Sequence, residues 1–278
     1  MNGNGNVKQA IVISDLHAGD RTGLCHKNGV PLDDGGVYMP SGLQLKVFEW
    51  WEEMWGEWVP RVTRRQPFAI IINGDAIEGE HHRSKTPFSV NVNDQIRAAA
   101  LLIQPLVKLC EGRLYMIRGT EAHAGKSGEH EETLAKMVGA VPDENGQYAR
   151  WEMIARIGNR LAHIKHKIGT TQSMAYQHTA LSKAAMQLSA SAAQWNYEIY
   201  DWICRSHRHR YSRCENRTYH GEQICVVTPG WQLRTPFIYS MSGDDLPEFG
   251  CVLLRAGDEE HYCREYVKTI TRTPEVVL

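Results

Sequence analysis

"AIVISDLH", residues 10–17, is an apolar, β-branched run that ends in polar residues. That is the pattern of a buried strand emptying into a site. "FAIIINGD" (68–75) repeats it, and "RLYMIRG" (113–119) supplies a third strand. Helical segments lie between them. "LQLKVFEWWEEMWGEWV" places Phe48, Trp51, Trp55 and Trp58 on one stripe, widened by Val47, Trp50 and Met54. The stripe reads as core, with a base-stacking platform or a homodimer contact through this aromatic helix as the other readings. A second helix is expected from an N-cap at Asp94 to a stop at Gly112, kinked at Pro105. The Gly-rich stretch after the first strand is too long for a simple connection and is expected to be a lid or a disordered segment.

After residue 150 the pattern changes. "RWEMIARIGNRLAHIKH" reads as two strands joined in a hairpin at Gly158 and Asn159. An Ala-rich helix covers roughly residues 173–197, and short strands alternate with turns beyond it. β-α units followed by a more antiparallel half predict an α/β fold. They fit one domain over residues 1–278, with two facing sheets, outer helices and a flexible tail at 1–9.

Composition narrows the function classes. The 278 residues are 42% hydrophobic and 23% charged, ordinary for a globular chain. A net charge of −1 gives no global attraction to DNA or anionic membranes, so any nucleic-acid site must be a local patch. Seven cysteines without a C-x-x-C pair favour a reducing compartment. The polar start and the lack of a long apolar run predict a soluble, cytoplasmic protein with no membrane partner.

The chemistry gathers at strand ends. Alternation predicts Asp15 and His17 on one face, and likewise His207 and His209 in "CRSHRHR" (204–210). Asp75 ends the second strand and His166 follows the hairpin. A solvated basic turn or a nucleic-acid contact would be the plainer reading of residues 204–210. Two carboxylates and four imidazoles together point instead to metal. Mixed N and O ligands without thiolate suit Mn, Fe, Zn or Ni. Six ligands exceed one ion's usual protein share, which predicts a dinuclear centre with ions ~3.5–4 Å apart.

The ordered set "DLH", "NGD", a Gly-x-His-type segment, a lone His and a "GHxH"-like pair resembles the calcineurin-like metallophosphoesterases. The resemblance spans residues 15 to 209. It implies a four-layer αββα sandwich, two mixed sheets flanked by helices, and hydrolysis of phosphate esters by water activated at two divalent ions, Mn²⁺ foremost. It places one ion on Asp15, His17 and His209 and the other on His166 and His207, with Asp75 bridging. Two departures stand out. Ser206 replaces the Gly of the His pair. "RGTEAH" (118–123) puts Thr120 where the family has its Asn ligand. The neighbouring Glu121 is therefore expected as a metal ligand, and His123 as the catalytic His that stabilises or protonates the leaving oxygen.

Arg118 and Arg208 are expected to hold a substrate phosphate, against the alternative of a solvated basic turn. His163 reads as structural, His81, His82 and His130 as loop histidines, and Glu78 as an ordinary carboxylate. The long segment after "DLH" also resembles phosphoesterases carried by bacteriophages and prophages. That favours a phosphodiester substrate, DNA or RNA included. A phosphomonoesterase is the alternative, and a catalytically inactive binding scaffold of the same fold is the second.

Overall fold

The computed structural model describes residues 6–80, 85–171, 173–218, 221–240, 246–270 and 276. His81 and His82 lie outside them. In chain order the strands are β1 (Gln9–Ile13), β2 (Val30–Pro31), β3 (Val37–Tyr38), β4 (Ala69–Asn73), β5 (Leu114–Ile117), β6 (Ala149–Arg150), β7 (Met153–Ile157), β8 (Arg160–Ile164), β9 (Trp202–Arg205), β10 (Ser212–Thr218), β11 (Gly221–Val227), β12 (Glu248–Ala256) and β13 (His261–Thr269). The helices are α1 (Gly42–Glu53), α2 (Val59–Val62), α3 (Val92–Leu109), α4 (Glu121–Ala124), α5 (Glu129–Val138), α6 (Thr179–Trp195) and α7 (Pro236–Ser240).

One sheet runs β13-β12-β1-β4-β5-β6 and the other β10-β11-β9-β8-β7. Strands β1, β4, β5 and β6 are parallel, as are β8, β9 and β11, while β12, β13, β7 and β10 run antiparallel to their neighbours. Both sheets are therefore mixed.

Side-chain alternation sorts the layers. Ala10 and Val12 of β1 face the second sheet and join Ile71, Ile164, Trp202 and Val226 in the inner core. Ile11 and Ile13 point the other way, against Phe48, Trp51, Ile103 and Leu134 of the helical layer. On the far side of the second sheet, Ile203, Cys225 and Val227 are covered by Leu181 and Ala185 of α6. Helix, sheet, sheet, helix is the expected four-layer order. Strands buried on both faces explain why β1 and β4 read as unbroken apolar runs.

Several local expectations change. The aromatic segment is α1 followed by a π turn at Met54–Trp58 and then α2. Phe48, Trp51, Trp55 and Trp58 are all buried in this chain's own core. The stripe packs as core. Trp50 remains half-buried against Phe249, with ring centroids 5.5 Å apart. The cap of α3 is Asn91, whose side chain accepts from the Asn93 N–H, and the helix runs through Pro105 to Leu109. Asp94 is buried one turn in, where it accepts from Ser89 Oγ at 2.7 Å and the Asp33 N–H at 3.0 Å.

The segment after β1 is no free lid. Leu24, Cys25 and Val30 sit in the core, and Gln44 Nε2 donates to the Asp20 and Gly23 carbonyls. Ordered chain also reaches into the expected tail. Gln9 opens β1, and Asn6 exchanges hydrogen bonds with Gly158.

Among the described residues no helix is long and apolar enough to cross a membrane. Trp51→Ala should cost about 3–5 kcal/mol in urea unfolding and leave the oligomeric state unchanged. An unchanged unfolding midpoint would contradict the packing described here.

Candidate metal centre

The parallel strands of both sheets end on the same edge, and the chemistry-bearing loops follow those ends. Asp15 and His17 follow β1, Asp75 follows β4, Thr120 and His123 follow β5, His166 follows β8, and His207 and His209 follow β9. The convergence does not arise from strand alternation. β1 stops at Ile13 and β9 at Arg205. Asp15, His17, Asp75, His207 and His209 all take left-handed backbone, with φ of 54°, 45°, 51°, 75° and 52°. Each such residue costs about 1 kcal/mol or more. The strain persists because the loops lace one another. Asp15 N–H donates to Gly74 O at 2.9 Å, His17 N–H to Asp75 O at 3.1 Å, and Trp231 N–H to Asp15 O at 2.9 Å.

Two glycines make the close approach possible. A Cβ at Gly119 would fall 1.9 Å from Asp75 Oδ1, and one at Gly74 would lie 2.6 Å from the His166 ring.

Three groups of side chains present ligand atoms within 4.8 Å of one another: Asp15, Asp75, His166 and His207; Asp15, His17 and His209; and His17, Asp75 and His123. Asp15 Oδ1 lies 3.2 Å from His209 Nε2, 3.9 Å from His166 Nε2 and 4.0 Å from His17 Nε2. Asp75 Oδ2 lies 2.9 Å from His166 Nε2 and 3.8 Å from His207 Nδ1. Despite this crowding, the buried Asp15 Oδ1 and His166 Nε2 make no aligned hydrogen bond among the described residues. Both belong to the same group of ligand atoms lying within 4.8 Å of one another. Orphaned, buried N and O atoms in this arrangement fit divalent metal ions.

The supporting contacts fix the ring nitrogens. His17 Nδ1 lies 2.8 Å from Glu78 Oε2, and His166 Nδ1 donates to Asn73 O at 2.6 Å, so each Nε2 faces the centre. Gln232 Nε2 also holds Glu78, at 3.1 Å. Beneath the site runs a buried chain of hydroxyls. Asn73 Nδ2 donates to Ser206 Oγ at 2.6 Å, and Thr228 Oγ1 sits 2.7 Å from both Ser206 Oγ and Ser14 Oγ. Ser14 Oγ in turn donates to Asp15 Oδ2. Ser206 thus supplies a hydroxyl to the layer beneath the site. Glu131, fully buried, accepts the Ala76 N–H at 2.8 Å and the Gly119 N–H at 2.5 Å, tying the loops after β4 and β5.

Burial would raise the Asp15 carboxyl, but His209 and His166 bring it down to about 2. Burial also opposes ionisation of Asp75, yet His166 and His123 hold it well below the usual carboxylate range. Burial alone would depress His17 and His166. Glu78 outweighs it and lifts His17 to about 9, while Asp75 and Asp15 lift His166 to about 10. Burial, followed by the charge of Asp75, pushes Glu131 up to about 7.

The remaining expected site residues are placed as follows. Glu121 opens α4, is exposed, and joins none of the three groups. Thr120 stands by the centre in its place, donating its N–H to Asp75 Oδ1 at 2.8 Å. His123 Nδ1 donates to the Glu78 carbonyl, and burial lowers its pKa to about 4. Its Nε2 lies 3.9 Å from Asp75 Oδ2, and burial disfavours the proton that an acid role would use.

Arg118 is buried, pairs with Glu132 at 3.1 Å and Gln147 at 3.2 Å, and lies over the Trp151 ring. Arg208 donates to the Gly169 and Gln177 carbonyls. Both guanidiniums organise loops. His163 is buried in β8 beside Tyr200, away from the centre, and His130 neighbours Glu129.

Glu131, Asn73, Ser14, Thr228 and Gln232 were not singled out in the sequence, and Glu78, there an ordinary carboxylate, is instead a buried partner of His17. The available signal was a carboxylate inside the otherwise apolar "AIEG" after Asp75.

Neither a protein-family model nor a curated protein matches this sequence. Among solved structures, vacuolar protein sorting 29 of Cryptosporidium parvum is similar over 96% of this chain and 100% of its own, at 10% identity and a TM-score of 0.39. A Thermotoga maritima protein solved by NMR is similar over 95% of this chain and 100% of its own, at 11% identity and a TM-score of 0.35. The sulfate thiohydrolase SoxB of Thermus thermophilus, in complex with glycerol, covers 97% of this chain and 57% of its own, at 14% identity and a TM-score of 0.42. Likenesses this distant leave the functional reading to the site itself.

Glu78→Gln should weaken Mn²⁺ binding about 10–100-fold, because it removes the charge that orients His17, whereas Glu121→Gln should not change it. Equal losses in both, by titration calorimetry, would contradict the placement of these two carboxylates. The raised pKa values of His17 and His166 add a pH dependence. Both imidazoles are protonated at pH 7 in the metal-free chain, so ion binding should release protons and weaken as pH falls. Calorimetry in buffers of different ionisation enthalpy reads that release, and a buffer-independent heat would contradict it.

Proposed function

We propose that this protein hydrolyses phosphate esters, with a phosphodiester as substrate, at a centre of two divalent metal ions. The observation that carries the reading is the pair of overlapping ligand groups sharing Asp15, with Asp15 Oδ1 and His166 Nε2 buried among them without an aligned hydrogen bond. Asp15, His17 and His209 would hold one ion; Asp75, His166 and His207 the other, with Asp15 reaching both. Asp75 also reaches toward His17, so two carboxylates lie between the sites. Ions held there supply the charge that acidifies a water and neutralises phosphate oxygens. Mn²⁺ suits the donor set.

The chain's own groups do the rest. The Thr120 N–H occupies Asp75 Oδ1 and leaves Oδ2 facing His166, His207 and His123. His123, held by the Glu78 carbonyl and with its protonation disfavoured by burial, would serve as a lone-pair donor to an ion or to a water proton. The acid role expected from the sequence would need a proton that burial disfavours.

The charge supports a diester. Arg118 is ion-paired with Glu132, and Arg208 commits N–H donors to the Gly169 and Gln177 carbonyls, so neither presents a free guanidinium fork for the dianion of a monoester. A diester phosphate carries one charge and needs less. Nucleic acid is the diester class to test.

Chelation should abolish turnover, and Mn²⁺ should restore it. Hydrolysis of bis-p-nitrophenyl phosphate should exceed that of p-nitrophenyl phosphate, and comparison of single-stranded with duplex DNA then tests the nucleic-acid substrate. Asp75→Asn should lower kcat at least about 100-fold, since it disturbs both ligand groups it belongs to. Chelator-resistant activity would refute the metal-dependent mechanism. A preference for the monoester would refute the substrate class.

A further inference from the structure

The metal centre lies beyond the C-terminal end of β1. A second cationic feature lies at the other end of the same sheet. Arg61 and Arg64 from the end of α2, Arg255 from β12, and Arg264 from β13 line one cavity of about 410 Å³ together with Tyr262 and Glu265. Arg255 pairs in register with Tyr262, and its antiparallel partner in β1 is Gln9. Gln9 and Asp15 are six positions apart, roughly 20 Å along a strand. The cavity is therefore separate from the candidate centre.

Four arginines and one glutamate line the cavity. Among the described residues none of the four is ion-paired to a carboxylate, and Glu265 takes a hydrogen bond from the Tyr211 hydroxyl. Two of the arginines are held in place. Arg255 donates to the Val62 carbonyl at 3.1 Å, and Arg264 lies over the Tyr262 ring at 5.4 Å from its centroid. Arg64 is fixed through its backbone, left-handed at φ 53°, with its N–H on the Arg61 carbonyl at 3.3 Å.

Like charges gathered around one concavity repel, and a multivalent anion relieves that repulsion. The guanidinium fork matches phosphate oxygens two at a time. The volume is that of a small-molecule site. Adjacent phosphates suit one cavity of this size better than a nucleic-acid strand, whose phosphates are spaced by sugars. We propose that this cavity binds a linear di- or triphosphate group, of the kind carried by nucleoside polyphosphates and by inorganic polyphosphate. The proposal stands independently of the reaction at the metal centre.

Calorimetry on the full chain, stripped of metal and dialysed so that the metal centre does not compete, tests it with sodium tripolyphosphate. The expected result is saturable one-to-one binding. Arg61→Ala/Arg264→Ala, two exposed positions, should weaken it at least about tenfold, and His209→Ala should leave it intact. ATP and a short oligothymidylate run in parallel. Binding of both tripolyphosphate and ATP assigns the site to nucleotides. Binding of tripolyphosphate alone assigns it to free polyphosphate. No saturable binding, equal binding by the double variant, or binding of the oligonucleotide without tripolyphosphate would overturn the proposal.

Discussion

Two buried carboxylates, Asp15 and Asp75, stand close together at the edge where the two sheets meet. Burying one ionised carboxylate without compensation is expensive, and each of these raises the cost of the other. The structure holds them ionised by surrounding them with His17, His123, His166, His207 and His209 and by donating backbone N–H groups from Thr120 and His207. Much of the surrounding architecture serves this arrangement. The loop after each contributing strand donates to, or accepts from, the loop beside it, and Glu131 and the Ser206–Thr228–Ser14 chain tie the layer beneath.

The same constraint explains the backbone. Side chains from strands of both sheets cannot meet at one point while remaining extended, because strand side chains project above and below their own sheet. Five of the converging residues therefore turn into left-handed conformation, an arrangement that L-residues adopt only when neighbours enforce it. Gly74 and Gly119 keep the ring of His166 and the carboxylate of Asp75 within reach. Divalent ions at this point would add a favourable term that the metal-free chain must replace with protonated histidines.

The layered fold was legible because strands buried on both faces read as continuous apolar runs, and β1, β4 and β5 each announced a polar end. Six residues later grouped by the structure, Asp15, His17, Asp75, His166, His207 and His209, were legible as residue types at those ends. The reason given for their convergence was not: alternation applies within strands, and the ligands lie beyond them. Glu121 misled because it is the better ligand chemically, whereas its position at the start of α4 turns it to solvent. Arg118 and Arg208 hold loop groups that residue type alone did not reveal, Glu132 and Gln147 for one and the Gly169 and Gln177 carbonyls for the other. Glu78 and Glu131 were hidden because a single buried carboxylate looks in sequence like any other. The aromatic stripe was legible as core, while its π turn and the true cap of α3 depend on packing that no short window contains.

Anomalous diffraction from crystals grown with Mn²⁺ tests the central claim most directly. Two peaks should appear ~3.5–4 Å apart, one bounded by Asp15, His17 and His209 and the other by Asp75, His166 and His207. A map without peaks between Asp15 and Asp75, with manganese bound elsewhere on the chain, would contradict the account.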